Sequence, residues 1–310
     1  MRFRRSILTI VLGLFLPLLG LAADAHEDAG HAVEAETSGL PTAAPVLFHI
    51  GPLPVTNSMV LTWFVAAALI FGAQLAMRKA QMIPQGAQNF WEWLVEGLYT
   101  FLEGLVGSHL VKKTFWFFGS IFIFIVATNW SGLVPGVGTI GYGVQTAHGF
   151  HVTDPLLRGA HADFNMTFAM SMVFFALWVI WALQENGVGG FLKHIFAPKG
   201  ETSGPLFVLM VVVFFAVGLL EIVSILFRPV SLSFRLYGNI FAGENMLESM
   251  THLGGPIWGW LTALPFYFME LMVGLVQALV FMLLTAVFTL LICMHDETEG
   301  HGHAKAHADH

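Results

Sequence analysis

The chain has 310 residues, 56% hydrophobic and 11% charged, with a formal net charge of −7 and a mean hydropathy of +0.73. Soluble globular domains are about 45–50% apolar and about 25% charged, so this composition excludes a water-soluble enzyme. The net charge comes largely from the acidic ends and says little about partners, among which no nucleic acid is expected. The one cysteine, Cys293, lies in an apolar run and excludes a disulfide framework or a cysteine metal site.

Residues 1–25 carry Arg2, Arg4 and Arg5, an apolar stretch from Ile7 to Leu21, and an Ala23-Asp24-Ala25 ending. That is the layout of a secretory signal peptide cleaved near His26, the alternative being a retained first anchor. Cleavage places residues 26–56 outside the cytoplasm, and an export signal ahead of a multi-span chain points to a bacterial inner membrane. The long apolar runs that follow reach the roughly 20 residues needed to cross the hydrocarbon core as a helix. A barrel strand would alternate at every second residue instead.

The crossings are predicted in order. Asn57–Met77 is closed by Arg78 and Lys79. Gln85–His109, with Glu92, Glu96 and Glu103 among Trp91, Trp93 and Tyr99, reads as a helix lying in the interface. Thr114–Pro135 crosses again, and Gly136–Asp163 is a loop containing glycine and histidine. Phe164–Leu183 returns, and Pro205–Met250 and Pro256–His295 are the long terminal segments. The fold class is therefore an all-α polytopic membrane protein with five transmembrane helices and one interfacial helix. Its membrane domain covers residues 57–295, with a His-rich tail at 296–310. His295, His301, His303, His307 and His310 read as a solvated tail rather than a metal site, since nothing constrains their geometry.

Charge orients the chain. Of thirteen Lys and Arg, ten remain once Arg2, Arg4 and Arg5 are set aside. Placing Arg78 inside puts Lys79, Lys112, Lys113, Lys193, Lys199 and Lys305 inside as well, and leaves only Arg158 outside. This satisfies the positive-inside bias and agrees with an exported N-terminus and a cytoplasmic C-terminus. At about 1.5 Å per residue, Pro205–Met250 approaches 70 Å against a core of about 30 Å. It must break near Pro229 or Gly238, or lie strongly tilted, forming with the last helix a long hairpin that presents a broad face to a partner.

That segment carries charges at bilayer depth, where each costs several kcal/mol unless it lines a polar path or meets a counter-charge. Glu221, Arg228 and Arg235 recur every seven residues and so stay within roughly 40° on one helical stripe, which Asn239 extends. Glu244 falls on the opposite side. Glu270 and Gln277 share a face of the last helix. Arg228, beside Pro229, reads as snorkelling to the cytoplasmic surface, with Glu221 as its alternative structural partner. Around Arg235, Ser231, Ser233, Gly238, Ala242 and Gly243 thin the helix surface, and small residues let another helix approach. An arginine on such a surface suggests an ion path meeting a moving or docked partner.

"EIVSILFRPVSLSFRLYGNIFAGE" (Glu221–Glu244) resembles the signature of the a subunit of F-type ATP synthases. "ADFNMTFAMSM" (Ala162–Met172), "TNWSGLVPG" (Thr128–Gly136) and "LVQALVFMLLTAVF" (Leu275–Phe288) resemble other spans of that family, in the same order. The likeness runs from about Asn57 to the C-terminus. It implies a tilted hairpin packed on a rotating ring of c subunits, a b-subunit peripheral stalk, the remaining synthase subunits, and two offset half-channels serving a carboxylate on each ring helix. Arg235 matches the family's essential arginine, and Glu244 the acid of the outer half-channel. Glu270 occupies a relay position beside Glu244, and Gln277 the position facing the arginine across the hairpin. Asn129 and Asn165 match polar positions near the outer end of the path, and Glu221 an acid on the inner side. Gly132 departs from relatives that often carry an acid there, which puts one outer-channel contact in doubt.

No Gly-rich stretch ends in the Lys-Ser/Thr of a phosphate-binding loop, so ATP chemistry is expected on other subunits, and no cofactor or metal is expected here. The translocated ion is expected to be H⁺, with Na⁺ as the alternative. A free-standing secondary transporter is the competing reading, and it predicts internal repeats with paired broken helices. A structural scaffold leaves the deep polar groups unexplained.

Overall fold

A computed structural model describes residues 44–50, 53–138, 140–146, 149–196 and 205–293. The expected signal peptide, most of the N-terminal segment and the His-rich tail lie outside the described residues.

A short antiparallel hairpin, β1 (Val46–Ile50) and β2 (Leu53–Thr56), runs directly into the first span, α1 (Asn57–Met77). Thr56 caps α1: its side chain accepts from the Met59 amide at 3.4 Å and satisfies one of the donors a helix start leaves open. Helix α2 (Ala87–Val106) precedes α3 (Ser108–Gly132), and Gly107, at φ +83, forms the corner between them. After α3 come β3 (Pro135–Gly138), β4 (Gly141–Thr146), β5 (Gly149–Pro155) and a single 3-10 turn, Ala160–Ala162. Then follow α4 (Phe164–Phe196), bent at Gly187 where φ is +65, α5 (Pro205–Leu253) and α6 (Gly255–Cys293). Five of these helices, α1 and α3 to α6, are long and apolar enough to cross a membrane.

The five spans match the expected ones, and the segment expected at the interface, α2, is not among them. One expectation needs correction, and one pair of alternatives is reduced to a strongly tilted helix. Gly136–Asp163 is not simply a loop: β4 and β5 pair antiparallel from Gly141 opposite Pro155 to Thr146 opposite Gly149. The long segment does not break at Pro229 or Gly238 either. Helix α5 runs through Pro229 for 49 residues, about 74 Å of helix. A proline inside a helix removes one ladder bond, a loss that membrane helices tolerate when neighbouring groups satisfy the freed carbonyl.

Helix α5 packs between α4 and α6, and α3 packs on α6. The core between them is built from Phe118, Phe174, Trp178, Phe281, Leu236 and Met282, all essentially inaccessible. Polar ties add direction: the Trp178 indole donates to the Phe288 carbonyl at 3.1 Å, and Asn186 Nδ2 to the Ile292 carbonyl at 2.9 Å, both from α4 to α6. In a bilayer, apolar contact between helices gains only packing over lipid contact, so close fit and such hydrogen bonds set the register. Coverage of α5 is slight, with 11% of its most apolar window buried against 50% for α3. The span that carries most of the deep charges is thus the one whose apolar window the chain covers least.

Candidate functional site

Arg235 lies on the uncovered side of α5. Ser231, Gly238 and Ala242, at −4, +3 and +7 from it, are also exposed and share its face at helical spacing. Two residues expected on that face are elsewhere. Ser233 is buried and its hydroxyl donates to the Pro229 carbonyl at 2.7 Å. Gly243 is buried against α6, where the Glu270 carboxyl lies over its Cα, so a Cβ there would collide with it. The open stripe is therefore narrower than the sequence implied, though the arginine remains at its middle.

Arg228 does not snorkel. Its guanidinium lies over Phe288 and Trp178, 4.5 and 5.5 Å from the ring centroids, and Nη2 meets Glu221 Oε1 at 3.1 Å. The side chain is 19% exposed. Two aromatic faces and a carboxylate answer the cost of bringing this cation into the bundle. Glu221 and Arg228 form a local pair, and Arg235, one more heptad along, takes no part in it.

Glu244 points away from the open stripe toward the end of α3 and the segment before α4. The fit there depends on glycine. A Cβ on Gly159 would strike the Glu244 carboxylate, and one on Gly132 would lie 3.2 Å from the Gly159 Cα. Gly132, which left an outer contact in doubt, is the position that lets the two backbones close around Glu244. Arg158 is 2% exposed and faces the same cavity as Glu244, a space of about 290 Å³ that also borders Glu248 and Tyr267.

A second, smaller cavity of about 10 Å³, the room of about one water, is lined by Glu244, Glu270, Asn129 and His161. Glu270 is 4% exposed, and its Oε1 has no hydrogen-bond partner among the described residues. Asn129 is buried, donates from Nδ2 to the Gly274 carbonyl at 2.9 Å, and takes His161 Nδ1 at 2.6 Å on Oδ1. His161 lies outside the spans, and burial pushes its imidazole down to about 3, so the ring is neutral near pH 7. On α6, Gln277 Oε1 accepts from Asn239 Nδ2 at 2.7 Å.

The predicted residues thus divide. Glu244, Glu270 and Asn129 meet around one cavity, and Asn239 with Gln277 joins α5 to α6 one turn beyond Arg235. Asn165 is exposed at the start of α4, where its backbone N–H donates to Asp163 Oδ1 at 3.0 Å, and Glu221 is paired with Arg228. Neither lines the small cavity. Sequence reasoning missed His161 and Gly159, and it read Arg158 only as an outside charge. The cluster "RGAHAD" (Arg158–Asp163) was the available signal: two basic residues packed into six positions next to a span.

This arrangement can hold and move protons through a buried carboxyl pair, and can present a fixed cation to whatever covers α5. A family model described as ATP synthase A chain matches residues 59–289. ATP synthase subunit a of Moorella thermoacetica is 30% identical over 242 residues, covering 78% of this chain and 93% of the relative. The Gloeobacter violaceus protein of the same name is 31% identical over 78% of this chain and 85% of its own length. That of Protochlamydia amoebophila is 29% identical over 94% of this chain and 99% of its own. A match across nearly all of the membrane region, with near-complete coverage of relatives of similar length, makes this chain a member of the ATP synthase subunit a family.

Proposed function

We propose that this chain is the proton-conducting stator subunit of the membrane sector of an F-type ATP synthase. In this role it offers two half-channels to a ring of c subunits and has no catalytic site of its own. The observation that carries the reading is the placement of Arg235. It stands on an exposed stripe with Ser231, Gly238 and Ala242, while Glu244, Glu270 and Asn129 gather behind the helix around a buried cavity.

The chemistry follows from charge. A rotor helix approaching the small-residue stripe brings its carboxylate toward Arg235. A cation within about 4–6 Å favours the ionised carboxylate, so the rotor acid releases its proton there. Arginine keeps its charge where lysine would not, and that fixed charge stops protons passing straight between the half-channels. On the outer side the larger cavity leads to Glu244, and the smaller one joins Glu244 to Glu270. A buried carboxyl pair holds one proton between two sites and can hand it on. Glu221 belongs to the inner side.

Arg78 and Lys79 follow the end of α1, and Lys112 and Lys113 lie in the first turns of α3, ends that the chain order puts on one side of the membrane. This supports a cytoplasmic C-terminus in a bacterial inner membrane, and family membership supports the other synthase subunits, including a peripheral stalk of b subunits, as partners. The test is ATP-driven pumping by the assembled complex in inverted vesicles, with and without sodium. Arg235→Ala is expected to abolish coupled pumping without sodium dependence, and retained pumping overturns the assignment. Stimulation of the unaltered complex by sodium would transfer the role from H⁺ to Na⁺.

A further inference from the structure

His161 stands outside every expectation drawn from the sequence. It is 2% exposed, held by the 3-10 turn before α4, and lines the small cavity with Glu244 and Glu270. Its hydrogen bonds define which nitrogen carries the proton. Asn129 donates from its amide nitrogen to Gly274, so the oxygen it presents to His161 Nδ1, at 2.6 Å, is an acceptor. Thr128 Oγ1 commits its hydrogen to the carbonyls of Phe124 and Ile125, at 2.8 and 3.0 Å, and so it also meets Nδ1, at 3.3 Å, as an acceptor. Nδ1 therefore bears the hydrogen, and in a neutral ring Nε2 keeps the lone pair. The charged groups that line the small cavity with the ring are Glu244 from α5 and Glu270 from α6; Arg158 lines the neighbouring larger cavity with Glu244, and Asp163, two residues along the chain, accepts from Ser58 at 2.8 Å.

We propose that His161 is a proton-relay residue between Glu244 and Glu270, a role that rests on the proton-conducting reading above. The O–H bond of one protonated carboxyl breaks as an N–H bond forms at Nε2. The resulting imidazolium then loses that same proton to the other carboxylate, restoring the neutral ring. Nδ1–H stays on Asn129 throughout, so one proton moves and nothing else changes. Burial keeps the imidazolium short-lived, so the ring passes protons on rather than storing them. A cavity with room for about one water leaves few other carriers. Gly159 and Gly132 bring the turn close enough for the ring to reach this space.

The test compares His161→Gln, His161→Ala and Arg235→Ala with the unaltered complex in inverted vesicles, reading subunit assembly, ATP-driven pumping and passive proton conduction. Glutamine can donate to Asn129 Oδ1 but has no basic site. Conduction in His161→Gln is expected to fall by about tenfold or more, and added imidazole is expected to restore His161→Ala in part. Conduction at the unaltered rate in His161→Gln overturns the proposal. So does a loss in His161→Ala that imidazole leaves untouched, or failure of both variants to assemble, because each marks a purely structural histidine. Coupled pumping in Arg235→Ala would instead overturn the stator reading. Loss in Arg235→Ala with normal conduction in His161→Gln removes the histidine role alone.

Discussion

Asn239 on α5 donates from Nδ2 to Gln277 Oε1 on α6 across 2.7 Å, one helical turn beyond Arg235. The bond locks the two halves of the hairpin in register near the arginine, in a medium where no hydrophobic force would hold that register. Hydrogen bonds between membrane helices contribute about 0.6 kcal/mol on average and up to about 1.7. A double-mutant cycle of Asn239→Ala and Gln277→Ala, read as thermal stability of the complex, should give a coupling in that range. Pumping should fall in each single variant, and the double variant should be little worse than the weaker single. Additive stability losses would show that the bond does not form in the complex.

Two arginines seven residues apart should respond in opposite ways. Arg228 is packed on Phe288 and Trp178 and paired with Glu221, whereas Arg235 is exposed on the bundle surface. Arg228→Ala is expected to lower stability by about 2 kcal/mol through lost cation–π packing and methylene contact, while pumping per assembled complex survives. Arg235→Ala should leave the stability of the isolated subunit within about 0.5 kcal/mol and remove pumping. Arg235→Lys should remain deficient, because a lysine loses its charge more readily in a poorly solvated contact.

Glycine at 159 and 243 is a steric requirement of the two carboxyls. A methyl at either position would overlap Glu244 or Glu270 respectively. Gly159→Ala and Gly243→Ala should each displace the carboxyl from the shared cavity, lowering passive proton conduction, at a small cost in stability because the atoms that must move are the ends of flexible side chains. Gly104→Ala, on α2 with open space around it, is the control and should be neutral to slightly stabilising.

His161 makes stability depend on acid. Its folded value of about 3 lies below the ordinary 6.5, so between these values the unfolded chain binds the extra proton. The stability is fully present above about pH 6.5 and is lost as pH falls toward 3. Lowering pH from 7 to 5 should remove about 2 kcal/mol through this group. Thermal denaturation of the complex at both pH values should show a smaller acid loss in His161→Gln than in the unaltered protein. An identical loss in both would mean that the imidazole is not buried in the neutral form.

Much of this molecule was legible because the bilayer simplifies the code. A span must be a long apolar helix, so Asn57–Met77 emerges from hydropathy with both of its ends correct. Charges inside such runs are conspicuous, which is why Arg235, Glu244 and Glu270 could be named from spacing and resemblance. The periodicity that put Glu221, Arg228 and Arg235 on one stripe was sound geometry. It could not tell that Arg228 turns into the Trp178 and Phe288 rings, because those contacts come from α4 and α6. Ser233 and Gly243 likewise depend on which face α6 covers.

The amino-acid order alone therefore determined the number of spans and the identity of the deep acids, since each depends on local composition and a helical period, whereas the continuity of α5 through Pro229 was decided by the structure. Only the tertiary structure decided which polar groups share a cavity. His161 and Arg158 belong to a stretch with no helical or strand period of its own, and they reach Glu244 because Gly132 and Gly159 let two backbones meet. Close approach between distant segments depends on what is missing from both sides at once, and no window along a single chain displays that.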